Sequence, residues 1–190
     1  MVYWAEQKQT HYFHNYMKRL VLASMAAFAL AFTAAAESSA KLTDVHLCCD
    51  SCVKGAEKAV AKVEGTSVAC DKDAGTVTIT GGDADAVQKA VNALVKAGYY
   101  GKSADKAVKV SKKTGAKGEK VQSLDVSNVH LCCGKCVKAV NAAVKGVDGV
   151  TGCTAEKGVK TFQVTGDFKD TDVMEALQKA GLTGVVGKVE

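Results

Sequence analysis

The chain has 190 residues, of which 47% are hydrophobic and only 6% aromatic, and its formal net charge at pH 7 is +5. This length allows one ordinary domain or two small ones. The charge excess is modest, and basic patches with interleaved aromatic residues are absent, so a nucleic-acid-binding protein is disfavoured.

Residues 1–36 have the pattern of a secretory signal peptide. Lys18 and Arg19 precede an apolar run over 20–32, which ends in small residues before Glu37. The run is too short to cross about 30 Å of hydrocarbon as a helix, so cleavage is favoured over a retained membrane anchor. Residues 1–16 are read as an upstream extension, with Met17 as an alternative start. The sequence therefore predicts a periplasmic or secreted protein with no membrane segment after cleavage.

The rest of the chain is an internal duplication. Residues 45–65 and 129–149, offset by 84 positions, are identical at 12 of 21 positions, VHLCCDSCVKGAEKAVAKVEG against VHLCCGKCVKAVNAAVKGVDG. Further matches follow after each segment, including Ala-Gly-Tyr at 97–99 and Ala-Gly-Leu at 180–182. A repeat of this kind indicates two copies of one structural unit.

The first copy, 37–106, predicts the element order βαββαβ. A β run over 42–47 leads into the Cys-rich loop, and apolar residues at three- and four-residue spacing then indicate a helix that stops near Gly65. Two β runs joined by a turn at 71–75 are followed by a second helix, capped by Asp83 or Asp85, and a last β run. The apolar helix positions are Val53, Ala56, Val60 and Val63, then Ala86, Ala90, Leu94 and Ala97.

Residues 107–120 contain five lysines and no apolar period, which predicts a solvated, flexible linker. The second copy, 121–190, repeats the element order, with Thr171 or Asp172 expected to cap its second helix. The predicted fold class is therefore α+β: two tandem ferredoxin-like modules, each a four-stranded antiparallel sheet with two helices on one face.

Each copy places a Cys-x-x-Cys pair between a strand and a helix. Two thiols three residues apart at a helix start can face one point, and the positive helix N-terminus favours thiolate. Thiolate is a soft donor that suits Cu(I), Hg(II), Zn(II) or Cd(II). The predicted metal ligands are Cys49, Cys52, Cys133 and Cys136; structural disulfides or buried thiols are the alternative.

These loops resemble those of the heavy-metal-associated domain family, which includes copper chaperones, periplasmic mercury-binding proteins and the N-terminal modules of metal-exporting ATPases. The family signature Gly-Met-x-Cys-x-x-Cys reads His-Leu-Cys-Cys-x-x-Cys at 46–52 and 130–136. The resemblance implies a metal-transporting ATPase or another metal-trafficking protein as partner. It also implies that Tyr99 lies near the first loop and that Leu182 takes its place near the second.

Departures from the family pattern bear on which metal is bound, with Cu(I) or Zn(II) expected foremost. Cys48 and Cys132 add a further thiol to each loop and permit three-sulfur coordination if the loop curls around the ion. His46 and His130 are weaker candidates: imidazole would complete a tetrahedral Cys₃His zinc site, but a ring hydrogen-bonded to backbone is favoured. Cys70 and Cys153 fall on strands, where a free cysteine is usually a small core residue.

The predicted function is an exported soft-metal carrier, scavenger or metallochaperone that loads each module independently and is not an enzyme. The alternative is a thiol–disulfide redox protein, which the absence of proline and of a Trp before the Cys pairs disfavours. A single Cys₄ zinc site built from both pairs is also disfavoured. Paired Cys-x-x-Cys knuckles normally lie about 15–20 residues apart, and these are 84 apart. The oligomeric state is left open.

Overall fold

The computed structural model describes residues 37–187, so the signal peptide predicted for 1–36 lies outside the described residues. Within this range the chain forms eight strands and four helices, and the order βαββαβ occurs twice. No helix of the described range is long and apolar enough to cross a membrane.

The first module forms a four-stranded antiparallel sheet in the order β2-β3-β1-β4. Its two helices contact this sheet and each other. The elements are β1 (Ser38–Thr43), α1 (Asp50–Val60), β2 (Thr66–Asp71), β3 (Thr76–Gly81), α2 (Ala84–Lys96) and β4 (Lys102–Ser103).

The second module repeats this arrangement in the strand order β6-β7-β5-β8, again with antiparallel pairs and with two helices that contact the sheet and each other. Its elements are β5 (Lys120–Ser127), α3 (Gly134–Lys145), β6 (Val150–Cys153), β7 (Thr161–Lys169), α4 (Asp170–Lys179) and β8 (Val185–Val186). The α+β class and the two four-stranded sheets are thus confirmed, and both modules are consistent with a ferredoxin-like fold.

The core of each module lies between its sheet and its helices. Alternation along β1 buries Ala40 and Leu42 and leaves Lys41 exposed, as period-two strand geometry requires. Val77 and Ile79 on β3 are fully buried beside them. Burial of one such aliphatic side chain contributes about 2 kcal/mol, so this face fixes the register that places the Cys loops at one end of the sheet.

The lysine-rich segment 107–119 is hydrogen-bonded to both modules. The side-chain amide of Gln88 on α2 brackets Lys109, donating to its carbonyl and accepting from its N–H, both at 2.8 Å. On the other side, Val186 N donates to the carbonyl of Thr114 at 2.7 Å, and the N–H groups of Lys117 and Gly118 donate to Asp170 at 2.8 Å. The backbone of this segment is therefore bonded to both modules rather than flexible as expected, while its lysine side chains are exposed to solvent. In the described part of the chain both modules belong to one compact unit.

Candidate metal centre

The two Cys-rich loops have the same backbone geometry at corresponding positions. Cys49 and Cys133 are the N-cap residues of α1 and α3, both extended, with φ of −163° and −152°. Neither side chain caps its helix, so both thiols remain available for other contacts. Cys52 and Cys136 follow in the first turn and are fully buried.

The thiols of both loops form one cluster. Within each loop, neighbouring sulfurs lie 3.6–3.7 Å apart. Between the loops the distances are 3.4–3.7 Å, with Cys52 Sγ and Cys132 Sγ at 3.4 Å. The six contributing residues are Cys48, Cys49, Cys52, Cys132, Cys133 and Cys136, which together are called the six-sulfur cluster below.

These distances are those of sulfurs in direct contact; they are compatible with ligands around a shared ion and are too long for covalent bonds. A disulfide bond is about 2.0 Å long, whereas two thiolates bound at about 2.3 Å to one tetrahedral ion lie about 3.8 Å apart. All eight described cysteines are free. The four predicted ligands therefore lie together with the two extra cysteines. That these sulfurs bind a metal ion stays a prediction.

The arrangement differs from the expectation of two independent sites. Spacing along the chain disfavoured one site built from both Cys-x-x-Cys pairs, yet the fold brings the pairs together across 84 residues. The spacing of two Cys-x-x-Cys pairs predicts a shared site only when one local hairpin or knuckle carries both pairs. Here the docking of two folded modules brings the pairs together.

Two glycines allow this close approach. Gly98 and Gly181 follow the second helix of each module with φ of +92° and +76°. A Cβ at Gly98 would collide with the carbonyl of Asn128 and the N–H of His130, and one at Gly181 would collide with Asp44 and His46. Only glycine combines a left-handed conformation with so close a backbone contact.

Backbone hydrogen bonds cross the interface at the same glycines. Gly181 O accepts from His46 N at 3.2 Å and from Tyr100 N at 3.1 Å, and Gly98 O accepts from Thr183 N at 3.0 Å. Each module thus presses a glycine turn against the strand-to-helix loop of the other. The sequence carried a signal for this in the recurring Ala-Gly at 97–98 and 180–181, which indicated only that the two copies correspond.

Tyr99 lies next to the first loop, as the family resemblance implied. Its ring is fully buried, and its Oη donates to the carbonyl of Cys52 at 2.7 Å. It also stacks on the imidazole of His130 from the second module, with ring centroids 4.4 Å apart and Oη 3.0 Å from Nε2. Burial raises the pKa of Tyr99, so the hydroxyl remains protonated and able to donate. His130 therefore supports the loop through Tyr99, and it does not belong to a group of possible metal ligands among the described residues.

His46 occupies the corresponding position in the first module but lacks this partner. Leu182 stands where a second tyrosine would, and Nε2 of His46 is buried without a hydrogen-bond partner in the described part of the chain. A ring nitrogen of His46 lies within 4.8 Å of the sulfurs of Cys48 and Cys136. The expected backbone hydrogen bond to this ring is therefore absent among residues 37–187, and His46 is the histidine better placed to reach a metal ion.

The electrostatics of the cluster favour a mixture of thiolate and thiol. The hydrogen bond between Cys52 and Cys136 lowers the pKa of Cys52 and raises the pKa of Cys136, so one of the two holds a thiolate and the other a thiol. The backbone N–H of Cys136 lowers the pKa of Cys133 to about 6, and burial raises the pKa of Cys48 to about 12. Crowded thiols of this kind ionise together only when a cation offsets their charge.

Cys70 and Cys153 lie apart from the cluster. Both are half-buried against the hydrophobic core on β2 and β6, in agreement with the expected core role. Burial raises the pKa of Cys70 to about 11 and raises that of Cys153. Neither belongs to a group of possible metal ligands among the described residues, so both serve as control positions.

Comparison with known proteins adds little to this geometry. No family model and no curated protein matches the chain. Among solved structures, the chain is similar to the solution structure of the N-terminal soluble domains of Bacillus subtilis CopA. The two are 15% identical with a TM-score of 0.29, over 80% of this chain and 95% of the other. At this level of similarity, function has to be argued from the chain's own residues.

Proposed function

We propose that this chain is an exported protein that captures a soft metal ion, Cu(I) foremost, on thiolates of both Cys-rich loops. The observation that carries the proposal is the six-sulfur cluster, in which thiols from two modules lie 3.4–3.7 Å apart. Sulfur donors select soft ions over Mg²⁺ or Ca²⁺. Every group of possible metal ligands among the described residues is made of these cysteines and His46.

The burial of the cluster suits exchange of an ion as well as its retention. Cys49 and Cys133 are only half-buried at the helix starts, whereas Cys52 and Cys136 are fully enclosed. An incoming thiolate can reach the outer sulfurs first, so that the ion passes between proteins through a shared intermediate without free release. A metal-transporting ATPase or another metal-trafficking protein would be such a partner.

Export is the second part of the proposal and is supported by the signal pattern in residues 1–36. If the peptide is removed, intact-mass measurement of the protein recovered from the periplasm gives the mass of a chain whose N-terminus lies near Glu37. A recovered protein that retains residues 20–32 would contradict export by cleavage and favour a membrane anchor.

Metal capture is tested by anaerobic competition for Cu(I) between the reduced protein and a chromophoric chelator. The wild type and the Cys70→Ser/Cys153→Ser control are expected to withdraw copper equally. The Cys49→Ser/Cys133→Ser variant is expected to bind fewer ions at least tenfold more weakly, a loss of about 1.4 kcal/mol or more, because a serine hydroxyl replaces a soft thiolate ligand in each loop. Unchanged stoichiometry and affinity in that variant would contradict the assignment. Rapid catalytic turnover of a dithiol substrate would favour the redox alternative.

A further inference from the structure

The sulfurs of the cluster group into triangles that share corners. Three triads of sulfurs lie within 4.8 Å of one another: Cys48-Cys49-Cys52, Cys49-Cys132-Cys133 and Cys52-Cys132-Cys136. A fourth triad is Cys48-Cys133-Cys136, with distances of 3.5, 3.5 and 3.7 Å. Other triangles of sulfurs are as tight, such as Cys48-Cys52-Cys136, but each of these shares an edge with some of the four. Every sulfur belongs to two of these four triads, and any two triads share one sulfur.

This connectivity is that of a tetrahedron of ions whose six edges are bridged by six sulfurs. We propose that the six-sulfur cluster holds four Cu(I) ions in one polynuclear centre, each ion bound by three thiolates and each thiolate shared by two ions. The proposal rests on the soft-metal function above and names its cargo: a monovalent, thiophilic ion that accepts trigonal coordination.

Single-ion tetrahedral sites fit the cluster less well. A tetrahedral Zn(II) site requires four sulfurs that all lie about 3.8 Å from one another. Contacts of 3.4–3.7 Å join the six described sulfurs into triangles, but they leave no set of four in which every pair is in contact. The sulfurs therefore offer faces to several ions rather than one cage to a single ion.

The size of the triangles suits three-coordinate ions. An ion at the centre of a triangle with edges of 3.5–3.7 Å lies about 2.1 Å from each sulfur, close to the metal–thiolate length of about 2.3 Å. Small outward movements of the sulfurs reach the full bond length. The half-buried positions of Cys48, Cys49, Cys132 and Cys133 leave room for such movement.

Charge also favours several monovalent ions. Six thiolates carry −6 in a partly buried site, which one divalent ion would leave at −4, whereas four Cu(I) ions leave −2. The N-termini of α1 and α3 begin at Cys49 and Cys133, and each supplies a partial positive charge of about +0.5. Binding replaces thiol protons by Cu(I), releases those protons to solvent and changes no oxidation state.

The test uses the full protein, reduced and titrated anaerobically with Cu(I) at several ratios. Native mass spectrometry is expected to show mainly the apo and four-copper forms, because a bridged centre fills cooperatively. X-ray absorption is expected to show copper–sulfur and copper–copper scattering. One or two ions bound stepwise without copper–copper scattering would overturn the polynuclear centre and leave soft-metal capture intact. Failure to withdraw any Cu(I) from the chelator would overturn both.

A paired variant separates this centre from two ordinary Cys-x-x-Cys sites. Cys48→Ser/Cys132→Ser keeps both Cys-x-x-Cys pairs and removes a corner from all four triads, so the four-copper form should disappear. Two copper ions in both the wild type and this variant would contradict the proposal. Cys70→Ser/Cys153→Ser is the matched control and should retain four. Because the wild-type stoichiometry decides the question alone, misfolding of the variant would not remove the test.

Discussion

The two modules present corresponding thiols in different surroundings. In the first module Tyr99 supports the loop from below, and its hydroxyl joins the carbonyl of Cys52 to the ring of His130. In the second module Leu182 takes this place and leaves His46 without that partner. The cysteines at the corresponding positions of both copies therefore form a nearly symmetric cluster inside an asymmetric shell.

Gly55 in the first module also differs from its counterpart in the second module. A Cβ at Gly55 would press on Tyr99 Oη and lie 2.8 Å from His130 Cε1, so only glycine leaves room for this pair. The corresponding residue of the second module is Ala139, and the residue that corresponds to Tyr99 there is the smaller Leu182. The duplication has thus kept the sulfur ligands and altered their supports, which makes the two ends of the cluster chemically distinct.

The largest effect should come from breaking the approach of the modules. Gly98→Ala is expected to destabilise the protein by about 3 kcal/mol, combining left-handed strain with overpacking against Asn128 and His130. Gly65→Ala is the control, because Gly65 has φ of +71° but open space around it, and should cost about 1 kcal/mol. Chemical denaturation measures both values.

Copper stoichiometry should fall with the same substitution. If the modules hold one shared centre, Gly98→Ala lowers the number of ions bound although no sulfur is removed. An unchanged stoichiometry in a folded Gly98→Ala protein would show that the modules load independently.

Sequence patterns predicted the modules but not their docking. The repeat, the element order and the place of each loop between strand and helix follow from periodicity and turn residues, and Asp83 is confirmed as the cap of α2 through its bond to Ala86 N at 2.7 Å. Periodicity identifies the face that an element buries within its own module. It carries no information on which surfaces of two folded modules meet, so the shared cluster could not be predicted.

The local sequence also failed to predict the start of the last helix, where residues of the lysine-rich segment take part in the cap. Thr171 or Asp172 was expected to cap the last helix, but α4 begins at Asp170 with Lys169 as its N-cap residue. The carboxylate of Asp170 instead accepts hydrogen bonds from Lys117 N and Gly118 N of the lysine-rich segment. A cap shared with residues more than fifty positions away has no signature in the helix itself.

Asp170 and Asp83 give the next comparison, between a buried and an exposed carboxylate at the start of corresponding helices. Asp170→Asn is expected to cost about 2 kcal/mol at pH 7, because it replaces charge-assisted bonds to three backbone N–H groups. Asp83→Asn should cost almost nothing, since asparagine caps helices as well as aspartate does. Denaturation at fixed pH distinguishes the two.

The cost of Asp170→Asn should depend on pH. Burial disfavours the charged form of Asp170, but backbone N–H donors outweigh it and hold the pKa of this carboxyl below its usual range. A depressed pKa contributes stability that is present above the unfolded pKa of about 3.9 and is lost as the pH falls through the folded value. The difference between wild type and variant should therefore shrink below about pH 4. A constant difference from pH 7 to pH 3 would contradict this role.

The smallest effect tests the asymmetric shell itself. Tyr99→Phe removes the hydroxyl that bonds Cys52 O and His130 Nε2, which should cost about 1–2 kcal/mol because two hydrogen bonds are lost in a buried site. Tyr100→Phe is the adjacent control, with an expected cost below about 0.5 kcal/mol. Since no sulfur changes, Tyr99→Phe should keep the wild-type copper stoichiometry but release copper to a chelator faster. Equal release rates for the two variants would show that Tyr99 supports the fold and not the cluster.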